Sequence, residues 1–153
     1  MSGTPTFTPQ DTNFEWRVCE SFARQKLMET IGATLTRVSA GAVEIELPFR
    51  EDLTQQHGYL HAGVVTSIVD SACGYAAMSL TPAGADVLSV EYKINLLSPA
   101  KGERMIARGR VLRAGRNLTV CAGDCFAVNN GEEKLVATMI ATMMTVETVA
   151  SRQ

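Results

Sequence analysis

The sequence predicts an α+β fold in which an antiparallel sheet curls round one long buried helix. Residues 62–80 read as a helix that is apolar on most sides, through Val64, Val65, Ile68, Val69, Ala72, Cys73, Ala76, Ala77 and Leu80. A helix apolar nearly all round belongs in an interior, not on a surface. After Pro82 and Gly84 the hydrophobic period falls to two and stays there through four successive segments. The resulting order is helix, two strands, buried helix, four strands. A single sheet wrapped on a single helix satisfies that order and buries the helix.

The elements follow in chain order. Residues 1–12 are rich in Thr and Pro and read as a flexible tail ahead of one domain over 13–148. Thr12-x-x-Glu15 has the form of a capping box. Phe14, Val18 and Phe22 continue at four-residue spacing, which predicts a helix over 13–30 with Gly32 as its stop. Two short strands come next, with Val43, Ile45 and Leu47 on the buried face, Ser39-Ala40-Gly41 as the turn before them and Pro48 as their end. Residues 51–63, EDLTQQHGYLHAG, form a polar loop leading into the buried helix. Beyond it Leu88, Val90, Tyr92, Ile94 and Leu96 alternate with Ser89, Glu91, Lys93 and Asn95. Residues 103–113, 117–127 and 134–146 are the remaining strands, and Asn130-Gly131 is a hairpin signal between the last two. Short turns throughout predict an antiparallel meander.

Composition narrows the function. A chain of 153 residues and 16.5 kDa fits one domain with its own core. Its net charge of −2 and lack of any Lys/Arg block argue against a nucleic-acid partner. No run approaches the roughly eighteen apolar residues of a membrane span. Residues 1–13 carry no Lys or Arg and no apolar core of a signal peptide, so a cytoplasmic location is expected. Cys19, Cys73, Cys121 and Cys125 form no C-x-x-C pair and read as small buried hydrophobes in a reducing compartment.

The buried helix carries one discordant stripe: Gly63, Thr66, Ser67, Asp70, Ser71 and Gly74, at three- and four-residue spacing. Asp70 is the outstanding member. An isolated buried carboxylate is costly unless hydrogen-bonded or neutralised, and Asp is a poor helix former. Either it bonds Thr66 or Ser67 one turn back and does nothing more, or it is chemically used. Perturbed carboxylates cluster at active sites, which favours the second reading.

His57 and His61, the only histidines, lie just before the same helix. H-x-x-x-H can place two imidazoles on one helical face for a metal, but Gly58 interrupts the spacing and occupies the glutamate position of a zinc-protease motif. No metal and no cofactor are expected. A histidine that merely orders the loop, and one aimed at a substrate carbonyl, are the other readings. The latter suits His61, at the helix start. There the first amides lack intrahelical acceptors and can stabilise an oxyanion; Ala62 and Gly63 leave them accessible. Asp70 lies eight residues beyond Ala62, about 12 Å along a helix. That distance is too great for a compact site and suggests that Asp70 meets the loop of a second subunit.

The stretch TQQHGYLHAGVVTSIVDSACG resembles the signature of hotdog-fold acyl-CoA thioesterases of the phenylacetate-degradation and 4-hydroxybenzoyl-CoA type: Asn or Gln, then G-x-x-H-G-G, then an acidic residue in the central helix. Residues 55–100 carry the close likeness, and 30–146 share the element order. The resemblance implies hydrolysis of an acyl-CoA, with Asp70 as catalytic carboxylate and the Ala62 N–H polarising the thioester carbonyl. It implies that Gln55 and His61 orient the carbonyl or the attacking water, and that Ser89 holds that water. It also implies a homodimer, or a homotetramer of two dimers, with sites at the subunit interface. Gly63 would border the substrate, and Arg113, Gly115 and Arg116 would meet the CoA nucleotide, although a solvated hairpin explains those last three equally well. Two departures stand out. Ala62 replaces the first glycine of the usual pair. Gln55 with Asp70 mixes a branch pairing Asn with Asp and one pairing Gln with Glu, so general-base and nucleophilic chemistry both stay open. A hotdog hydratase or dehydratase and a non-catalytic acyl-CoA-binding module are the rival functions.

Overall fold

The computed structural model describes residues 5–148. Helix α1 spans Phe14–Arg24 and α2 spans Lys26–Ile31, followed by strands β1 (Thr34–Ser39) and β2 (Ala42–Pro48). A single 3₁₀ turn, Glu51–Leu53, and a loop lead to α3, Ala62–Met78. Strands β3 (Ala85–Leu96), β4 (Arg104–Ala114), β5 (Leu118–Asn129) and β6 (Glu132–Glu147) complete the chain. All pairings are antiparallel, in the order β1-β2-β4-β5-β6-β3. This is the expected α+β hotdog fold, with α3 cradled by the sheet.

The close embrace depends on small residues. A Cβ on Gly109 of β4 would come within 2.3 Å of the Ala72 backbone, and one on Gly123 of β5 within 2.6 Å of Val69 Cγ1. Ala72, Ala76, Ala107, Ala137 and Ala141 are buried at the same contact, with Ile45, Leu47, Ile68, Met105, Met139 and Met143 filling the space around them. At the C-terminal end of α3, Arg17 of α1 donates to the carbonyls of Pro82 (2.9 Å) and Ala85 (3.1 Å), to Thr81 Oγ1 (2.8 Å) and to Asp11 (2.9 Å). That cluster fastens α1 to the segment that joins α3 to β3.

Several expectations need correction. The first helix is two, broken where Gln25 adopts an extended backbone (φ −78°, ψ 97°). The capping box does not form: Asn13 is the N-cap, and Asp11 Oδ1 accepts its N–H at 2.9 Å instead. Ala40-Gly41 joins β1 to β2 rather than preceding both, and Gly41 takes the positive φ of 80° that this tight connection needs. The meander holds only for β4-β5-β6, because β3 crosses over to pair with β6 and becomes an edge. Cys19 is exposed, while Cys73, Cys121 and Cys125 are buried as expected.

The alternation in β3 also breaks. The register shifts between Ser89 and Glu91, so Val90 is the extra residue of a bulge. Ser89 pairs with Met143, and Tyr92, Ile94 and Leu96 pair with Ala141, Met139 and Ala137, all facing the helix side. Leu88 pairs with Met144 on the outer face. One inserted residue thus lets Ser89 and Tyr92 share a face that strict alternation would deny them.

Residues 5–12 are irregular in backbone but held by side chains. Phe7 packs against the core, and Gln10 Nε2 donates to the Leu80 carbonyl at 2.8 Å. Residues 1–4 lie outside the described residues. Among the described residues, no helix is long and apolar enough to cross a membrane.

Candidate active site

The N-terminal end of α3 is assembled by a short, strongly bonded loop. Gln55 N donates to the Tyr59 carbonyl (2.8 Å), and Gly58 N to the Gln55 carbonyl (3.0 Å), with Gly58 at φ 80°. The Gln55 Oε1 accepts from the His57 amide, which leaves the Nε2 end of that side chain as a donor. His61 N donates to Leu53 O (3.0 Å) and Leu60 N to Ala100 O (2.9 Å), stapling the loop to its surroundings.

His61 is the N-cap of α3. Its Nδ1 accepts from the Gly63 N–H at 2.9 Å. An accepting Nδ1 carries no proton, which leaves Nε2 as the ring's donor. The Ala62 N–H, one residue earlier, has no hydrogen-bond acceptor among the described residues. Gln55, His61 and Ala62 all line one cleft of about 540 Å³, lined also by Tyr59, Leu96 and Val136. Gly63 is exposed beside it. His57 is exposed and takes no part in the cleft, and no group of three metal-ligating side chains occurs among the described residues.

Asp70 occupies a different cavity, of about 210 Å³, two turns further along α3. Its Oδ1 accepts from Ser89 Oγ of β3 at 2.7 Å, with Met143 Sδ beside the hydroxyl at 3.2 Å. No hydrogen bond among the described residues reaches Oδ2. Thr66 and Ser67 do not bond Asp70, because each donates back to a carbonyl one turn earlier, Ala62 (2.8 Å) and Gly63 (2.7 Å). The carboxylate is only partly buried in a single chain. Full burial was expected from the apolar character of α3, but the edge position of β3 leaves this side of the helix uncovered.

Gln55, His61 and Ala62 are thus brought together, as are Asp70 and Ser89, but one chain does not join the two groups. Arg113, Gly115 and Arg116 lie elsewhere again: Gly115 and Arg116 flank Leu80 and Thr81, beyond the C-terminal end of α3. Sequence reading missed Tyr59, Leu96 and Leu97, which line the His61 cleft, and Lys101, whose ammonium stands 6.0 Å over the Tyr59 ring. Their signal is spatial: residues 96–101 are brought to residues 55–62 by the fold, with Leu60 N donating to the Ala100 carbonyl. Gln25 and Ser21, beside Asp70, gave no signal either. The buried thiols are poor nucleophiles, since burial pushes Cys121 and Cys125 up to about 12.

Comparison with known proteins identifies the family. The thioesterase superfamily model matches residues 57–134, a span that includes His61, Ala62, Asp70 and Ser89. Human acyl-coenzyme A thioesterase 13 is 32% identical over 123 residues, covering 78% of this chain and 86% of that protein. The crystal structure of a thioesterase family protein from Silicibacter pomeroyi is 48% identical and superposes with a TM-score of 0.86, over 88% of this chain and 98% of that one. The Escherichia coli PaaI protein of the phenylacetic acid degradation operon shares the fold at a TM-score of 0.78 and 18% identity, over 88% and 95% of the two chains. Sequence, fold and the matched span converge: the chain belongs to the thioesterase superfamily.

Proposed function

We propose that this thioester hydrolase acts on acyl-CoA, using a site that two copies of the chain share. The observation that carries the reading is the division of polar groups. Donors suited to a thioester carbonyl stand at the start of α3, and a carboxylate with one free oxygen stands midway along it, facing the edge strand. β3 is twelve residues long and unpaired on its outer side, and Tyr92 and Leu96 on its helix face remain 47% and 54% exposed. A second β3 pairing along that edge would cover them and place each Asp70 beside the partner's α3 start. The same packing admits tetramers of two such dimers.

In the reaction the carbonyl oxygen lies against the Ala62 N–H, with the Nε2–H of His61 and the Gln55 carboxamide orienting it or the water. Charge developing on that oxygen meets a preorganised donor at a helix N-terminus. Asp70 then acts in one of two ways. It takes a proton from a water held with Ser89, and that water attacks the carbonyl carbon; or Oδ2 attacks directly and water cleaves the resulting anhydride. Either route expels the CoA thiolate, which takes up a proton, and releases the free acid. Neither requires a metal or an organic cofactor.

Arg113 and Arg116 make no ion pair among the described residues and serve the CoA phosphates in this proposal, with Gly115 shaping their turn. Replacing both arginines by alanine should raise KM for acyl-CoA and not for a thioester lacking the nucleotide. The free thiols fit a reducing, cytoplasmic setting. The decisive assay is thiol release from a panel of acyl-CoAs by wild type and Asp70→Asn. Release by the wild type alone supports the assignment, and equal release by both removes Asp70 from the chemistry.

A further inference from the structure

The cavity beside Asp70 extends to the N-terminal helices. Ser21 of α1 and Gln25 at the break before α2 line it, together with Gly74, Tyr75 and Met78 of α3 and Asp86 and Val87 of β3. Gln25 is fixed there by two contacts with Ser71, Nε2 to Oγ at 3.2 Å and Oγ to Oε1 at 3.3 Å. A continuous helix would carry residue 25 past this point; the extended backbone at Gln25 turns the chain so that its side chain bonds α3. Gly74, one turn beyond Asp70, leaves the floor open, since a Cβ there would meet nothing within 4 Å.

We propose that this cavity receives the acyl group and that Gln25 sets how long that group can be. The inference rests on the thioesterase reading of Asp70 above. An enzyme that cleaves beside Asp70 must send the two halves of its substrate in different directions. The cleft of about 540 Å³ at the α3 start has Lys101 nearby and suits the larger CoA arm. The cavity of about 210 Å³ suits the smaller part. Its volume of about 210 Å³ has room for a compact acyl group, with Met78, Val87 and Leu88 as the apolar part of its lining. Both wall residues lie outside the matched span 57–134, so the wall belongs to this chain's own N-terminal helices and not to the matched region.

The experiment compares kcat/KM for butanoyl-, hexanoyl- and decanoyl-CoA across wild type, Gln25→Ala and Ser21→Leu. Alanine tolerates the extended backbone at position 25 and lowers the wall. Leucine is a good helix former at position 21 and fills the cavity. The decanoyl-to-butanoyl ratio should rise at least tenfold in Gln25→Ala, and the hexanoyl-to-butanoyl ratio should fall at least fivefold in Ser21→Leu. A loss of Ser71 bonding alone would scale every substrate together and leave the ratios unmoved. Unmoved ratios in the folded variants, with the wild type active, overturn the acyl-cavity proposal while leaving the thioesterase reading intact. Should Gln25→Ala fail to fold, Ser21→Leu decides by itself. A wild type that hydrolyses none of the three overturns both.

Discussion

The two halves of the site are built by opposite means. The His61–Ala62 half is local: a cap two residues long, a tight turn at Gly58 and backbone bonds within residues 53–62 and to Ala100 fix its donors. The Asp70 half is non-local: its bond to Ser89 joins a helix to an edge strand, and the bulge at Val90 decides whether Ser89 faces it. A local half should survive loosening of the tertiary structure; the other half should not. What holds each half also keeps the two groups two helical turns apart within one chain.

Four perturbations break or sharpen this contrast, in falling order of effect. Gly109→Val should destabilise the fold by about 3 kcal/mol or more, since its side chain would meet the α3 backbone at Ala72. Thermal denaturation measures this, and a change under about 1 kcal/mol would mean that the sheet gives way more easily than its packing implies. Asp70→Asn should lower turnover at least about a hundredfold with the melting temperature kept, as expected for loss of a general base or nucleophile. Ser89→Ala removes one hydrogen bond to a charged group, of about 1.5 kcal/mol, and should lower kcat about tenfold. An effect of Ser89→Ala confined to KM would mean that Ser89 binds substrate instead of holding water. Dialysis against a strong chelator should change nothing; activity lost and then restored by zinc would reassign His57 and His61 as ligands.

Much of this was legible in the sequence, for physical reasons that differ by element. The all-round apolar character of residues 62–78 required a buried helix, and Asn130-Gly131, both at positive φ, required the last hairpin. The spacing from Ala62 to Asp70 already pointed to two clusters, which is how the structure arranges them. What was not legible depends on long-range choices. Periodicity cannot show that Val90 is an inserted residue, so the outward turn of Leu88 came as a surprise to strict alternation. Short turns imply neighbouring strands, but β3 precedes β4 in the chain and pairs with β6 instead. Nor does a helical period reveal the break at Gln25, whose side chain bonds Ser71 across 46 residues.

The central claim is that each site takes Asp70 from one chain and the His61–Ala62 start from another. Mixing two inactive variants tests it most directly. Asp70→Ala removes the carboxylate, and His61→Asn removes the imidazole while keeping a side chain suited to capping α3. Equal amounts, unfolded and refolded together, give hybrids in half of the dimers, each with one whole site and one doubly altered site. The account predicts recovery of about one quarter of wild-type thiol release from two preparations that are each nearly inactive. Hybrids that form, as shown by mass spectrometry of the intact dimers, and yet release no more thiol than their parents would contradict it.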